Sequence, residues 1–129
     1  MNILFLGGDK RYKYMMEDLS EKHNVHQIGF KDVDTHIETY KIDLSKYDIV
    51  IFPMNGINDN LEVKSELGLI KLSHDIFENI NKNTKFLTGL KTKKLLEFLP
   101  KEQIISFLDY KEVQKANNLL TVDRHYWWY

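Results

Sequence analysis

Three short stretches of this sequence combine residue types and spacings suited to holding a negatively charged ligand. The first is Gly7-Gly8-Asp9-Lys10-Arg11, which follows an apolar run and opens a helical pattern. Paired glycines let backbone amides approach a ligand, a helix amino terminus favours negative charge, and Lys10 or Arg11 adds charge-assisted hydrogen bonds. That is the chemistry of a carboxylate or phosphate site. The spacing is not G-x-G-x-x-G, however, and a tight strand-to-helix turn asks for the same glycines on structural grounds alone.

The second stretch is Met54-Asn55-Gly56, within a turn-rich segment after Pro53. There Asn55 could read a polar group of a substrate, and the turn propensity of Asn-Gly accounts for it equally well. The third is Thr88-Gly89-Leu90-Lys91, followed by Lys93 and Lys94. Cations at the start of a helix oppose its dipole, a conflict that a bound anion relieves; a solvated lysine face is the plain alternative. His23 and His26 straddle a helix end and a strand start with no Cys or second His pair nearby, so no metal site is expected. His74-Asp75 reads as capping, and none of the serines stands in a nucleophile elbow, which argues against a hydrolase.

These stretches matter only if the fold brings them together. Asn2 to Leu6 is a continuous apolar run, the mark of a strand buried on both faces, and residues 11–22 carry Tyr12, Met15, Met16 and Leu19 at helical spacing. Further strands are predicted at 25–30, 48–52, 85–89 and 104–108, with helices at 90–99, stopped by Pro100, and at 111–118. Ser73 caps a short helix carrying Ile76, Phe77 and Ile80, and residues 54–72 form a long loop or a small hairpin. Residues 37–42 are either a short edge strand or a loop. Buried strands alternating with amphipathic helices predict an α/β, three-layer, Rossmann-like or flavodoxin-like domain with a mostly parallel sheet of about five strands. In such sheets ligands sit outside the carboxyl ends of the strands where the strand order reverses, and all three stretches fall at predicted carboxyl ends.

The chain has 129 residues, room for one domain with a real core and too little for the two that most nicotinamide dehydrogenases need. Eighteen basic against 19 acidic residues give a net charge of -1, which supplies no footprint for nucleic acid or an anionic membrane. With no cysteine there is neither a disulfide framework nor a Cys-based zinc site. No run has the length of a membrane span or the flanks of a signal peptide, so a cytoplasmic protein is expected.

The opening I-L-F-L-G-G-D-K-R-Y, followed by L-S-E-K-H-N-V-H-Q-I-G-F, resembles the amino-terminal domain of the dipicolinate synthase A chain, with its Gly-Gly-Asp-x-Arg turn and second strand ending in Gly-Phe. The likeness continues through Ile49 to Pro53, Phe86-Leu87-Thr88-Gly89 and Asn118-Leu119-Leu120-Thr121-Val122-Asp123, so that it spans residues 2–123. It implies a Rossmann-like partner domain of a sporulation-family, NAD(P)-dependent oxidoreductase that works with a separate flavoprotein subunit. The dinucleotide, NADP, is held there by a following domain. No cofactor is therefore expected on this chain alone, nor turnover with NADPH.

On these grounds residues 1–123 are expected to form the domain and 124–129, Arg124-His125-Tyr126-Trp127-Trp128-Tyr129, an aromatic tail that covers the domain's own edge or joins two copies as a homodimer. The expected ligand is a small carboxylate at Gly7, Gly8, Asp9, Lys10, Arg11, Asn55, Thr88, Gly89 and Lys91. Two alternatives stay open: a regulatory module binding a nucleotide or another small molecule, and an oligomeric interaction protein with a vestigial crevice.

Overall fold

A computed structural model describes residues 1–31, 33, 37 and 41–120. Strand β1 (Asn2–Leu6) leads into α1 (Tyr12–Ser20), which returns to β2 (Asn24–Ile28). A single 3-10 turn (Leu44–Lys46) precedes β3 (Ile49–Ile51), and the chain then makes a hairpin of β4 (Glu62–Ser65) and β5 (Gly68–Lys71). After another 3-10 turn (His74–Phe77) come β6 (Lys85–Thr88), α2 (Lys93–Phe98), β7 (Ile104–Ser106) and α3 (Tyr110–Leu120).

Five strands form one sheet in the order β2-β1-β3-β6-β7, parallel throughout. The order reverses between β1 and β3, the point at which ligands sit in sheets of this topology. Because successive side chains of a strand face opposite ways, the unbroken apolar run of β1 feeds two cores at once. Ile3 and Phe5 join Tyr12, Met15, Met16 and Leu19 of α1 on one face. Leu4 and Leu6 meet Leu44, Ile57, Val63, Phe77, Leu95 and Leu99 on the other. Helix α1 fits its layer because its four apolar residues sit at helical spacing and all four are buried.

The α/β expectation with about five mostly parallel strands holds, and residues 54–72 take the hairpin option. Two predicted helices come out shorter. Residues 73–80 give only a 3-10 turn, with Ser73 Oγ accepting from the Asp75 amide at 3.3 Å and Phe77 as its one buried side chain. The helix expected from Leu90 begins at Lys93: the Leu90 amide is donated instead to Met54 O at 2.8 Å, which holds residues 89–92 against the loop after β3. The alternative of a strand or loop at 37–42 falls largely on residues outside those described, as does the tail 124–129. Among the described residues no helix is long and apolar enough to cross a membrane.

The hairpin does not project into solvent. Its β4 arm lies across the carboxyl ends of β1 and β2: the Gly8 amide is donated to Lys64 O at 2.8 Å, Gly8 bridges Ser65, and the Leu67 amide reaches Gly29 O at 3.3 Å. Glu66 completes the attachment, accepting from Lys13 Nζ of α1 at 2.6 Å and from the Lys31 amide at 3.3 Å. The Lys13 ammonium holds the Glu66 carboxyl below the usual glutamate range. A carboxyl whose folded value is depressed contributes stability above its unfolded value and loses it as pH falls through the folded one. The hairpin amides should therefore lose exchange protection as the solution is acidified through and below the ordinary glutamate range. Glu66→Gln should flatten that pH dependence, and hydrogen exchange at Ser65 and Leu67 reads both effects.

Candidate functional site

The three loops do meet. A Cβ added to Gly7 would lie 3.2 Å from Pro53 Cγ, one at Gly56 would lie 2.9 Å from Leu90 O, and one at Gly89 would lie 2.2 Å from Met54 O. Residues 7–11, 53–58 and 88–91 thus interlock at the carboxyl ends of β1, β3 and β6, over the point where the strand order reverses. Tyr12 ties the first loop down from the α1 side, its hydroxyl donating to Phe52 O at 3.1 Å.

Within this cluster the glycines play a different part from the one their sequence suggests. The Gly7 amide is donated to Ile28 O at 3.0 Å and the Gly8 amide to Lys64 O, so neither faces a ligand. Gly8 has φ +131°, and a Cβ there would stand 2.3 Å from the Tyr12 ring. It is a glycine because the ring and the backbone need the space. The expectation of an anion cradled by Gly8 N–H is corrected accordingly. The Gly7 and Gly8 amides are thus not available to a phosphate group. Gly89 likewise serves a close approach, pressed on the Met54 backbone, with its carbonyl accepting from Ser106 Oγ at 2.7 Å. Thr88 is fully buried and donates its hydroxyl to Leu90 O at 2.9 Å, a structural duty.

Side chains are what the crevice offers instead. Lys10, Arg11 and Asn55 are exposed on its rim. Asp9 grips Arg11 through both carboxylate oxygens, with Nε at 2.9 and 3.0 Å and a terminal nitrogen at 2.5 Å. The Arg11 guanidinium in turn holds the Asp9 carboxyl below the usual aspartate range. Since both side chains are about half exposed, the pair contributes at most about 1 kcal/mol to stability. Its consequence is orientation: it fixes the guanidinium against Asp9 at the start of α1.

Lys91 points elsewhere. Its Nζ meets Glu112 of α3 at 2.9 Å, and the same carboxylate accepts from the Ser106 amide. Lys94 pairs with Glu97 at 3.2 Å, so the lysines near the start of α2 are not gathered around one point. Lys91 lines instead a separate groove of about 790 Å³ between β7 and α3, together with Lys85, Lys101, Glu102, Lys115 and the apolar Ile104, Ile105 and Leu119. Neither Glu112 nor the seat of the hairpin on Gly8 was signalled by any local motif. Each depends on a partner distant in sequence or held by a turn that the spacing does not reveal.

The histidines divide as follows. His23 Nδ1 lies 3.3 Å from the terminal amine, and His26 Nδ1 lies 2.8 Å from the Tyr47 hydroxyl, whose pKa burial pushes up. His74, Asp75 and Glu78 have ligand atoms within 4.8 Å of one another, but all three are exposed, where water competes for every position, and nothing else there points to an ion.

A family model for the N-terminal domain of the dipicolinate synthase A chain matches residues 2–109. Among solved structures, the dipicolinate synthase A chain from Bacillus halodurans is similar with a TM-score of 0.75 and 18% identity, over 90% of this chain and 43% of that one. The dipicolinate synthase A chain from Bacillus subtilis gives a TM-score of 0.75 and 15% identity, over 92% of this chain and 44% of that one. The chain thus spans less than half the length of either. No curated protein matches it.

Proposed function

This chain belongs to the family of dipicolinate synthase A-chain N-terminal domains, and from that membership we propose that it binds a small carboxylate, of the pyridine dicarboxylate class, at the carboxyl end of its sheet. The observation that carries the reading is the interlocking of loops 7–11, 53–58 and 88–91 over the point of strand reversal, with Lys10, Arg11 and Asn55 on the rim. Asp9 supports it by presenting Arg11 in a fixed orientation. Gly7, Gly8, Thr88 and Gly89 shape the crevice without donating to the ligand from the first turn, and the Lys91 side chain, paired with Glu112, lies outside it.

In this reading the domain is one half of an NAD(P)-dependent oxidoreductase. Its own residues bind and orient the carboxylate, while the nicotinamide, held by another domain, supplies hydride chemistry. A separate flavoprotein subunit is the proposed partner, and the tail 124–129 is the proposed contact between two copies.

Affinity should be weak and salt-sensitive, since the groups involved are exposed. Arg11→Ala should weaken binding of pyridine-2,6-dicarboxylate by about tenfold and Lys10→Ala by about twofold, because a guanidinium holds a carboxylate with two parallel bonds and an ammonium acts as a point charge. Calorimetry at low salt ranks the two variants. Equal losses would remove the bidentate role of Arg11. For the tail, deletion of residues 125–129 should convert a dimer to a monomer in light scattering across a dilution series, and a monomer before deletion would contradict the proposed contact.

A further inference from the structure

We propose that the groove between β7 and α3 binds a small phosphate-bearing organic anion with an apolar body, independently of the carboxylate crevice. Among the described residues β7 ends the sheet, pairing with β6, and α3 runs beside its outer edge. The groove between them, about 790 Å³, has the size of a site for a mononucleotide or a comparable metabolite, roughly 300–1,000 Å³. Ile105 and Leu119, on the same face of the sheet, give it an apolar floor, and lysines enter from three elements: Lys85 of β6, Lys101 before β7 and Lys115 of α3.

Charge decides the class of occupant. Lys91 at one end is neutralised by Glu112. Lys85, Lys101 and Lys115 make no ion pair and no side-chain hydrogen bond among the described residues, and they face only Glu102 as a second carboxylate in the groove. Three ammonium groups lining one partly apolar groove repel each other until an anion joins them. Among the described residues the groove holds no arginine and so no planar fork suited to a carboxylate, and mobile point charges around a tetrahedral phosphoryl group fit better. Asn118 and Glu102 add a hydrogen-bonding amide and an acceptor beside the apolar floor.

An extended peptide is the other natural occupant of a free strand edge. Here the edge is already closed. The Ser106 amide is held by Glu112, the Ser106 carbonyl accepts from Asp109 N at 3.3 Å, and the Ile104 amide is donated to Lys101 O. Strand addition would have to break these bonds first, so a compact ligand is favoured over a peptide.

The test is an NMR titration of the full chain with ADP, with adenosine and pyrophosphate as separate arms. ADP should shift the amides of Lys85, Lys101, Ile104, Ile105, Lys115 and Leu119, and Lys101→Ala with Lys115→Ala should weaken it by about tenfold, taking each exposed contact as a few-fold. Both lysines are exposed, and a retained spectrum confirms that the double variant folds. Arg11→Ala should leave ADP binding unchanged, which separates this site from the carboxylate crevice. The proposal is overturned if millimolar ADP leaves the groove amides in place, if the double variant binds as wild type does, if adenosine binds equally well, or if pyrophosphate matches ADP and the apolar floor contributes nothing.

Discussion

Replacing Gly89 by alanine should destabilise the domain by about 3 kcal/mol or more, one of the largest effects expected of a single methyl group. The new Cβ would lie 2.2 Å from the oxygen, 2.7 Å from the Cα and 2.8 Å from the carbonyl carbon of Met54. These are backbone atoms, so no rotamer change relieves the overlap. Nor can the loops simply part, because Leu90 N is bonded to that same Met54 oxygen and Ser106 Oγ holds the Gly89 carbonyl. A melting temperature lower by about 10 °C is expected for a domain of this size. Gly68→Ala is the matched control. Nothing lies within 4 Å of its added Cβ, and only the φ of +103° opposes it, so the loss should stay near about 1 kcal/mol. Comparable losses at the two sites would mean that the contact between the loops is not what fixes Gly89.

Glu112→Ala should cost about 2 kcal/mol. Its carboxylate accepts from Lys91 and from the Ser106 amide on the outer edge of β7, and truncation leaves that amide with no acceptor in a half-buried place, a loss of about 1–3 kcal/mol. Glu112→Gln keeps an acceptor for Ser106 and loses only the ion pair, so it should cost less than about 1 kcal/mol. Denaturant unfolding ranks the two variants, and exchange of the Ser106 amide should accelerate in the first and little in the second. If alanine and glutamine behave alike, the ion pair with Lys91 is the dominant interaction, and the edge of β7 is held by other contacts.

The strands were readable because burial on both faces leaves an uninterrupted apolar run, as at Ile3 to Leu6 and Ile49 to Phe52, with Gly or Pro marking each exit. The meeting of the three loops was readable for the same reason: a parallel sheet puts every such exit on one side. What those loops do with their atoms was not. Gly7-Gly8 has the same sequence whether its amides face a ligand or, as found, the carbonyls of Ile28 and Lys64. The partner Lys64 lies more than fifty residues away on a hairpin whose docking no local pattern reveals. Arg11 and Asp9 are neighbours in sequence and their pairing was open to inspection, whereas the Glu112 contact with Lys91 spans 21 residues and the groove beside it draws on three separate elements. The resemblance to the dipicolinate synthase domain runs through residue 123 in the sequence, and the family match supports it to residue 109.

The most direct test of the carboxylate reading is to follow the backbone amides of the full chain by NMR as pyridine-2,6-dicarboxylate is added at low salt. Saturable shifts should concentrate on residues 9–11, 55 and 89–91, weaken with added salt and nearly vanish in Arg11→Ala. Asp9→Asn should weaken the response as well, because it removes the carboxylate that fixes the Arg11 guanidinium. Shifts that fall on Lys85, Lys101 and Lys115 instead, or a titration in which wild type and Arg11→Ala cannot be told apart, would contradict the placement of the ligand at the end of the sheet.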